Sequence, residues 1–166
     1  PGGVRLYLID SPGSTVLKLD DSMFNAAPGP VSVRDFGAKC DGTTDDTAAL
    51  QRALDSSGAN TVYSPAGDCI IKGNLRAKWS GSMLRIFGDG GGEAPGSAQG
   101  SVWTLTGTGA LLTYDGASTL TGFQLESIKL RTTNKSPGQV GLNLSHSFVN
   151  HLRFVVFEGF GNVATP

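Results

Sequence analysis

The sequence predicts an all-β protein built as a β-solenoid with one α-helix near its front, and three observations predict it. First, only 16% of the 166 residues are charged, against roughly 25% in an average domain, while 24 are glycine. A chain poor in charge and rich in Gly, Ser and Thr asks for many turns and few exposed helices. Second, from Thr61 onward the apolar residues fall into short runs parted by Gly, Ser, Asn and Asp: 61–63, 69–71, 83–87, 102–106, 111–114, 123–130, 141–144 and 148–157. Strands at that density mean β architecture. Third, an offset of 24 residues sets Leu125, Ile128 and Leu130 on Val149, Leu152 and Phe154, with Lys129 and Arg153 between the second and third apolar positions. A period in the twenties with short strands is what a solenoid requires, each coil stacking about 4.8 Å above the last.

Along the chain, residues 4–9 alternate, 16–19 form a second apolar stretch, and Asp10-Ser11-Pro12-Gly13 between them is a turn by composition. Residues 1–24 therefore read as a β-hairpin neck. Residues 25–30 hold two prolines and a glycine and read as a linker, because that run continues neither strand nor helix. Residues 31–166 form the body. It opens with a strand over 31–37 and a polar turn over 39–44. A helix of about 12 residues follows. Thr44 or Asp45 is its N-cap and Asp46 favours the positive end of its dipole. Ala49, Leu50, Ala53 and Leu54 make one apolar stripe, and Gly58 ends it. A helix that short needs an apolar partner, so the stripe is expected to close the open end of the first coil.

The balance of 13 basic and 14 acidic residues gives a net charge of -1 and no reason for a nucleic-acid partner. No apolar run approaches the length of a membrane-spanning helix, so no membrane insertion is expected. The opening residue is Pro1, and the sequence is expected to start inside a longer polypeptide or after processing. Cys40 and Cys69 are too few for a disulfide framework. They read as two buried free thiols, with a bridge between them as the alternative. No Cys/His spacing predicts a metal site. The six glycines of residues 88–100 fail as a phosphate loop because Glu93 stands where the third fingerprint glycine belongs and no Lys-Ser/Thr follows, so no cofactor is expected.

Residues 31–54, from Val31-Ser32-Val33-Arg34-Asp35-Phe36-Gly37-Ala38 through Asp41-Gly42-Thr43-Thr44-Asp45-Asp46-Thr47 to Ala53-Leu54, resemble the opening of the pectate-lyase-like superfamily. The likeness continues through Thr61-Val62-Tyr63-Ser64-Pro65-Ala66-Gly67-Asp68-Cys69-Ile70-Ile71. It departs at Cys40, where the turn usually has Gly, and at Cys69, where an aromatic is common. The resemblance implies a right-handed parallel β-helix with an N-terminal capping helix. The hairpin and linker in front are most similar to phage tailspikes, which implies a homotrimer located in the virion. It would join other phage tail proteins through its N-terminal side and recognise, or depolymerise, bacterial surface polysaccharide. The alternative is a secreted polysaccharide lyase or glycoside hydrolase of the pectate-lyase or polygalacturonase type.

Hydrolytic sugar cleavage needs two carboxylates flanking the bond, and elimination needs a base beside the acidic sugar carbon. Asp45 and Asp46 are adjacent but are accounted for by capping. Asp89 and Glu93 lie in the glycine-rich loop. Asp115 and Glu126 would meet only if their strands align, and Glu158 sits on another coil. His146 and His151 read as structural or solvent-facing. Trp79 and Trp103 are the glycan-contact candidates, because an aromatic face complements the apolar face of a pyranose. The apolar residues 154–160 without a following cap lead to the expectation that the β-helix continues past Pro166, that its catalytic residues lie there, and that this segment is mainly structural. Neighbours among Phe148, Val149, Phe154, Val155, Val156, Phe157 and Phe160 must point to opposite faces, so some face outward and ask for a partner surface, which a trimer would supply.

Overall fold

A computed structural model describes residues 6–9, 15–19, 29–56, 60–79, 83–91, 100–116, 122–147 and 149–160. At the front, β1 (Leu6–Ile9) and β2 (Thr15–Leu19) pair antiparallel, with Leu6 opposite Leu19 and Leu8 opposite Leu17. The expected turn at 10–13 and most of the linker lie outside the described residues.

The body consists of parallel strands stacked in three ladders. β3 (Val31–Ser32), β5 (Thr61–Ser64), β8 (Met83–Gly88) and the first halves of β11 (Gly122–Thr132) and β13 (Val149–Glu158) form the first ladder. β4 (Asp41–Asp45), β6 (Gly67–Ile71), β9 (Ser101–Leu105) and the second halves of β11 and β13 form the second. β7 (Leu75–Trp79), β10 (Ala110–Gly116) and β12 (Val140–Ser145) form the third. Each pass of the chain contributes to the ladders in turn and lies on the pass before it, an arrangement compatible with a β-helix.

Register keeps like residues in columns. Val31, Val62, Ile86, Leu125 and Leu152 are successive partners in the first ladder. Cys69, Trp103, Leu130 and Phe157 are partners in the second, and Leu75, Leu112 and Leu142 in the third. Strand side chains alternate faces, so one column of each pair of neighbours points inward, and the inward columns share a single core, except at the last pass, where Leu152 and Phe157 are half exposed.

α1 (Thr47–Asp55) covers one end of that core, packed against β7, with Ala49, Leu50, Ala53 and Leu54 all buried. The four residues form one buried stripe, and full burial of a Leu there contributes about 1.5–3 kcal/mol. The helix has 9 residues instead of 12, and its cap differs from the expectation. Thr44 and Asp45 belong to β4, and Asp46 is the N-cap residue. The Asp46 carboxylate does not cap the helix; it accepts from the backbone N–H groups of Lys39 (2.7 Å) and Cys40 (3.0 Å). Asp45 supplies the missing acceptor, taking the N–H (3.1 Å) and hydroxyl (2.6 Å) of Thr47. Gly58 lies outside the described residues.

Three further expectations are corrected. The strand expected over 31–37 stops at Ser32, and Val33–Phe36 is a 3₁₀ turn. Ser32 and Asp35 set it, since the Ser32 hydroxyl accepts from Arg34 N–H at 3.3 Å while the Asp35 carboxylate accepts from Ser32 N–H at 3.2 Å. The repeat between the last two passes is 27 residues, not 24: Leu125 lies beside Leu152 and Ile128 beside Val155. The corner fixes this register, with Ser127 (φ 51°) and Phe154 (φ 53°) taking the same left-handed bend one above the other. The two cysteines are not free thiols, because Cys40 and Cys69 are joined by a disulfide from the first pass to the second.

Candidate functional face

The chemistry-bearing side chains lie on the outward columns of the ladders. On the first ladder the column Thr61, Arg85, Gln124, His151 runs beside the column Tyr63, Phe87, Glu126, Arg153. Strict alternation places them there: those on β5, β8 and β11 flank a buried Val, Ile or Leu, and His151 and Arg153 flank Leu152, which is half exposed on the last pass. Arg85 donates to one oxygen of Glu126 through Nη2 (2.5 Å) and Nε (3.1 Å), and Gln124 donates to the other at 2.6 Å. The Arg85 guanidinium holds the Glu126 carboxyl below the usual range, with Gln124 and the charge of Arg153 adding to it. Glu126 is therefore an ionised acceptor at neutral pH and a poor proton donor.

Tyr63 and Phe87 stack with ring centroids 5.0 Å apart, and Arg85 lies 4.6 Å over the Phe87 ring. Phe87 is thus engaged from within the ladder by both Tyr63 and Arg85. The Tyr63 hydroxyl donates to Asp89, which also accepts from Ala66 N–H at 2.9 Å, so Asp89 fastens a corner. His151 and Arg153 are exposed on this face.

On the second ladder, Asp68 accepts from Thr104 and Arg131, each at 2.5 Å, and Arg131 reaches the Thr104 hydroxyl at 3.1 Å. Lys129, fully buried, pairs with Glu158 of the next pass at 3.2 Å. On the third, Asp115 accepts from Ser145 (3.2 Å) and lies 2.9 Å from His146 Nδ1; these contacts, His146 first, lower its carboxyl. Asp115 and Glu126 do not meet, because they stand on different ladders. Trp103 is corrected as a glycan contact: it is fully buried in the core, its indole N–H donating to Ser64 Oγ at 3.0 Å. Trp79 ends β7 in register with Gly116; its side chain and Glu93 lie outside what is described.

Sequence reasoning missed the Arg85–Glu126–Gln124 group. The signal was present as Arg85, Gln124 and Glu126 alternating with apolar residues, but only the pairing of β8 with β11, 39 residues apart at Leu84 and Phe123, brings them together.

The family described as rhamnogalacturonase A/epimerase, pectate lyase-like, matches residues 30–116, and the chain belongs to it. Among curated relatives, alginate lyase 7 of Azotobacter vinelandii is 42% identical over 69 residues, covering 37% of this chain and 8% of that protein. Mannuronan C5-epimerase AlgE2 of the same organism is 51% identical over 72 residues, covering 37% of this chain and 7% of the relative. Among solved structures, ORF18 of Geobacillus virus E2 superimposes with a TM-score of 0.58 at 21% identity, covering 94% of this chain and 32% of that one. The chain thus spans less than a tenth of these curated relatives and about a third of the viral protein.

Proposed function

We propose that this chain is part of a phage tailspike: the N-terminal cap and first coils of a right-handed parallel β-helix, homotrimeric, that carries a polysaccharide-recognising body on the virion. The observation that supports this most is the fold likeness to a viral protein over 94% of the chain. Right-handedness follows the strong preference of parallel crossover connections. The segment's own role is structural and adaptor: it joins other tail proteins through its N-terminal side to a body that binds bacterial surface polysaccharide. The carboxyls of Asp41, Asp45, Asp115 and Glu126 are all held low by their hydrogen-bond donors, which suits hydrogen-bond acceptance and not the protonated acid that glycoside hydrolysis needs. The outward Arg85, His151 and Arg153 suit contact with an acidic polysaccharide.

The test is an immunoblot of gradient-purified virions with antibody raised to this chain. A band that co-sediments with the particles is expected, and a band confined to the particle-free supernatant overturns the reading. A second reading, a secreted alginate-type lyase or epimerase, is favoured by the identity of 42–51% to such enzymes over about seventy residues. It predicts that the full-length protein, without any particle, either releases unsaturated uronate from alginate or inverts C5 of mannuronate residues within the polymer. Binding at the described face is expected to weaken about two- to fivefold in Arg153→Ala, read as retardation in an alginate-containing gel, because an exposed charge contributes modestly.

A further inference from the structure

We propose that Cys40, Cys69 and Asp46 form a redox-gated site for a thiophilic divalent cation, closed in the oxidised protein by the bond between the sulfurs and opened by its reduction. Three elements bring three donors to one point: Cys40 from the corner before β4, Asp46 from the residue before α1, and Cys69 from β6. Both sulfurs and a carboxylate oxygen of Asp46 lie within 4.8 Å of one another, and all three residues are buried. Two thiolates and one carboxylate oxygen held on a zinc-like cation at about 2.0–2.3 Å would lie roughly 3.5–4 Å apart, inside that spread.

The carboxylate is fixed in place, one oxygen accepting from Lys39 N–H and the other from Cys40 N–H. A carboxylate oxygen that accepts one such bond keeps a lone pair for a cation. Those N–H groups also offset the single negative charge that two thiolates and a carboxylate would leave around a divalent ion. In the register Cys69 lies beside Trp103, fully buried, so bare thiolates would be poorly solvated and a cation is what would hold them deprotonated.

The step balances with a phosphine as reductant. Two electrons pass from phosphorus to the S–S bond, water supplies the oxygen of the phosphine oxide, and two thiols form. Cation binding then breaks two S–H bonds, makes two metal–sulfur bonds and releases two protons to solvent. Three protein donors leave a fourth position for water. The gate has a structural meaning, because either link, sulfur to sulfur or sulfur to metal to sulfur, ties the first pass and its capping helix to the second. The metal link would serve in a reducing compartment, where the disulfide does not persist.

The experiment reduces the purified chain with a phosphine, follows strand content by far-ultraviolet circular dichroism, and titrates with Cd²⁺. The expected result is one Cd²⁺ per reduced chain, with a thiolate-to-metal absorption band and strand signal retained. No binding is expected in the oxidised chain, loss of the band in Cys40→Ser or Cys69→Ser, and affinity weakened about tenfold or more in Asp46→Asn. Asp46→Asn also tests backbone support, so Cys69→Ser, which leaves Asp46 intact, is the deciding variant. The proposal is overturned by a folded, reduced chain that takes up no Cd²⁺, by a band that survives Cys69→Ser, or by strand signal that is lost on reduction and not restored by Cd²⁺.

Discussion

Cys40 occupies a left-handed conformation, φ 49°, that L-residues other than Gly, Asn and Asp adopt at a cost of about 1–2 kcal/mol. What holds it there is a convergence of partners: the Asp46 carboxylate on its N–H, Asp68 N–H on its carbonyl, and the bond to Cys69. The disulfide spans 29 residues and encloses the whole capping helix, so Cys69→Ala is expected to lower unfolding free energy by about 3–4 kcal/mol in the chain-entropy account. Urea unfolding with and without reductant checks it, and wild type and variant should converge when both are reduced. Acid supplies a second prediction at this scale. Asp41 is lowered chiefly by the backbone N–H groups of Thr44 and Thr43, Asp45 by Thr47, and Glu126 by Arg85. A carboxyl lowered on folding adds stability above its unfolded pKa and loses it as pH falls through the folded value. Stability is therefore expected to be level near neutrality and to decline below about pH 4. Glu126→Gln should flatten part of that decline in melting temperatures measured down the pH scale.

The capping helix is the element on which the first pass depends. Leu50 is fully buried beneath it, and Leu50→Asp would place an unpaired charge against the core. A loss of several kcal/mol is expected in denaturant unfolding, with Leu50→Ala nearer 2–5 kcal/mol. Close passage between coils is the other constraint, since a Cβ on Gly107 would lie 2.0 Å from the Lys72 carbonyl oxygen. Gly107→Ala should then destabilise by moving one pass off the next. The helix stripe and most strands were legible because periodicity reports burial directly. What escaped had a different cause in each case. β7, Leu75–Trp79, alternates Leu75 and Ala77 with Arg76 and Lys78, but it is brief and follows Gly73-Asn74, so it read as loop. The true spacing of 27 was hidden because an apolar match at 24 looked as good until the stacked corners at Ser127 and Phe154 fixed the register. The Arg85–Glu126 contact depends on partners 41 residues apart, which no local pattern encodes. Cys40 and Cys69 were each visible as departures from the resemblance, but their pairing required β4 to lie beside β6.

For the molecule as a whole, the outward apolar residues bear on the proposed trimer. Phe154 stands at a corner and is 71% exposed, while Val155 packs on the core and Val156 lies in the outward column beside Lys129. The face that would meet a neighbour therefore includes Phe154 and Val156, not Val155. Sedimentation velocity of the full-length protein is expected to show a trimer that Phe154→Lys or Val156→Lys weakens. Val155→Lys should instead damage folding. A monomer at micromolar concentration, indifferent to both outward variants, would remove the trimer.

The ladders have an implication for how such a chain comes to be folded at all. Each described strand of the body pairs only with the pass before it and the pass after it, at separations of 24 to 39 residues between β5 and β13. No described ladder has to wait for a distant C-terminal strand to arrive. A pass leaving the ribosome finds its template already in place, and the first template is the one the helix and Cys40 have squared off. Folding can then proceed in the order of synthesis, each finished edge serving as the seed of the next.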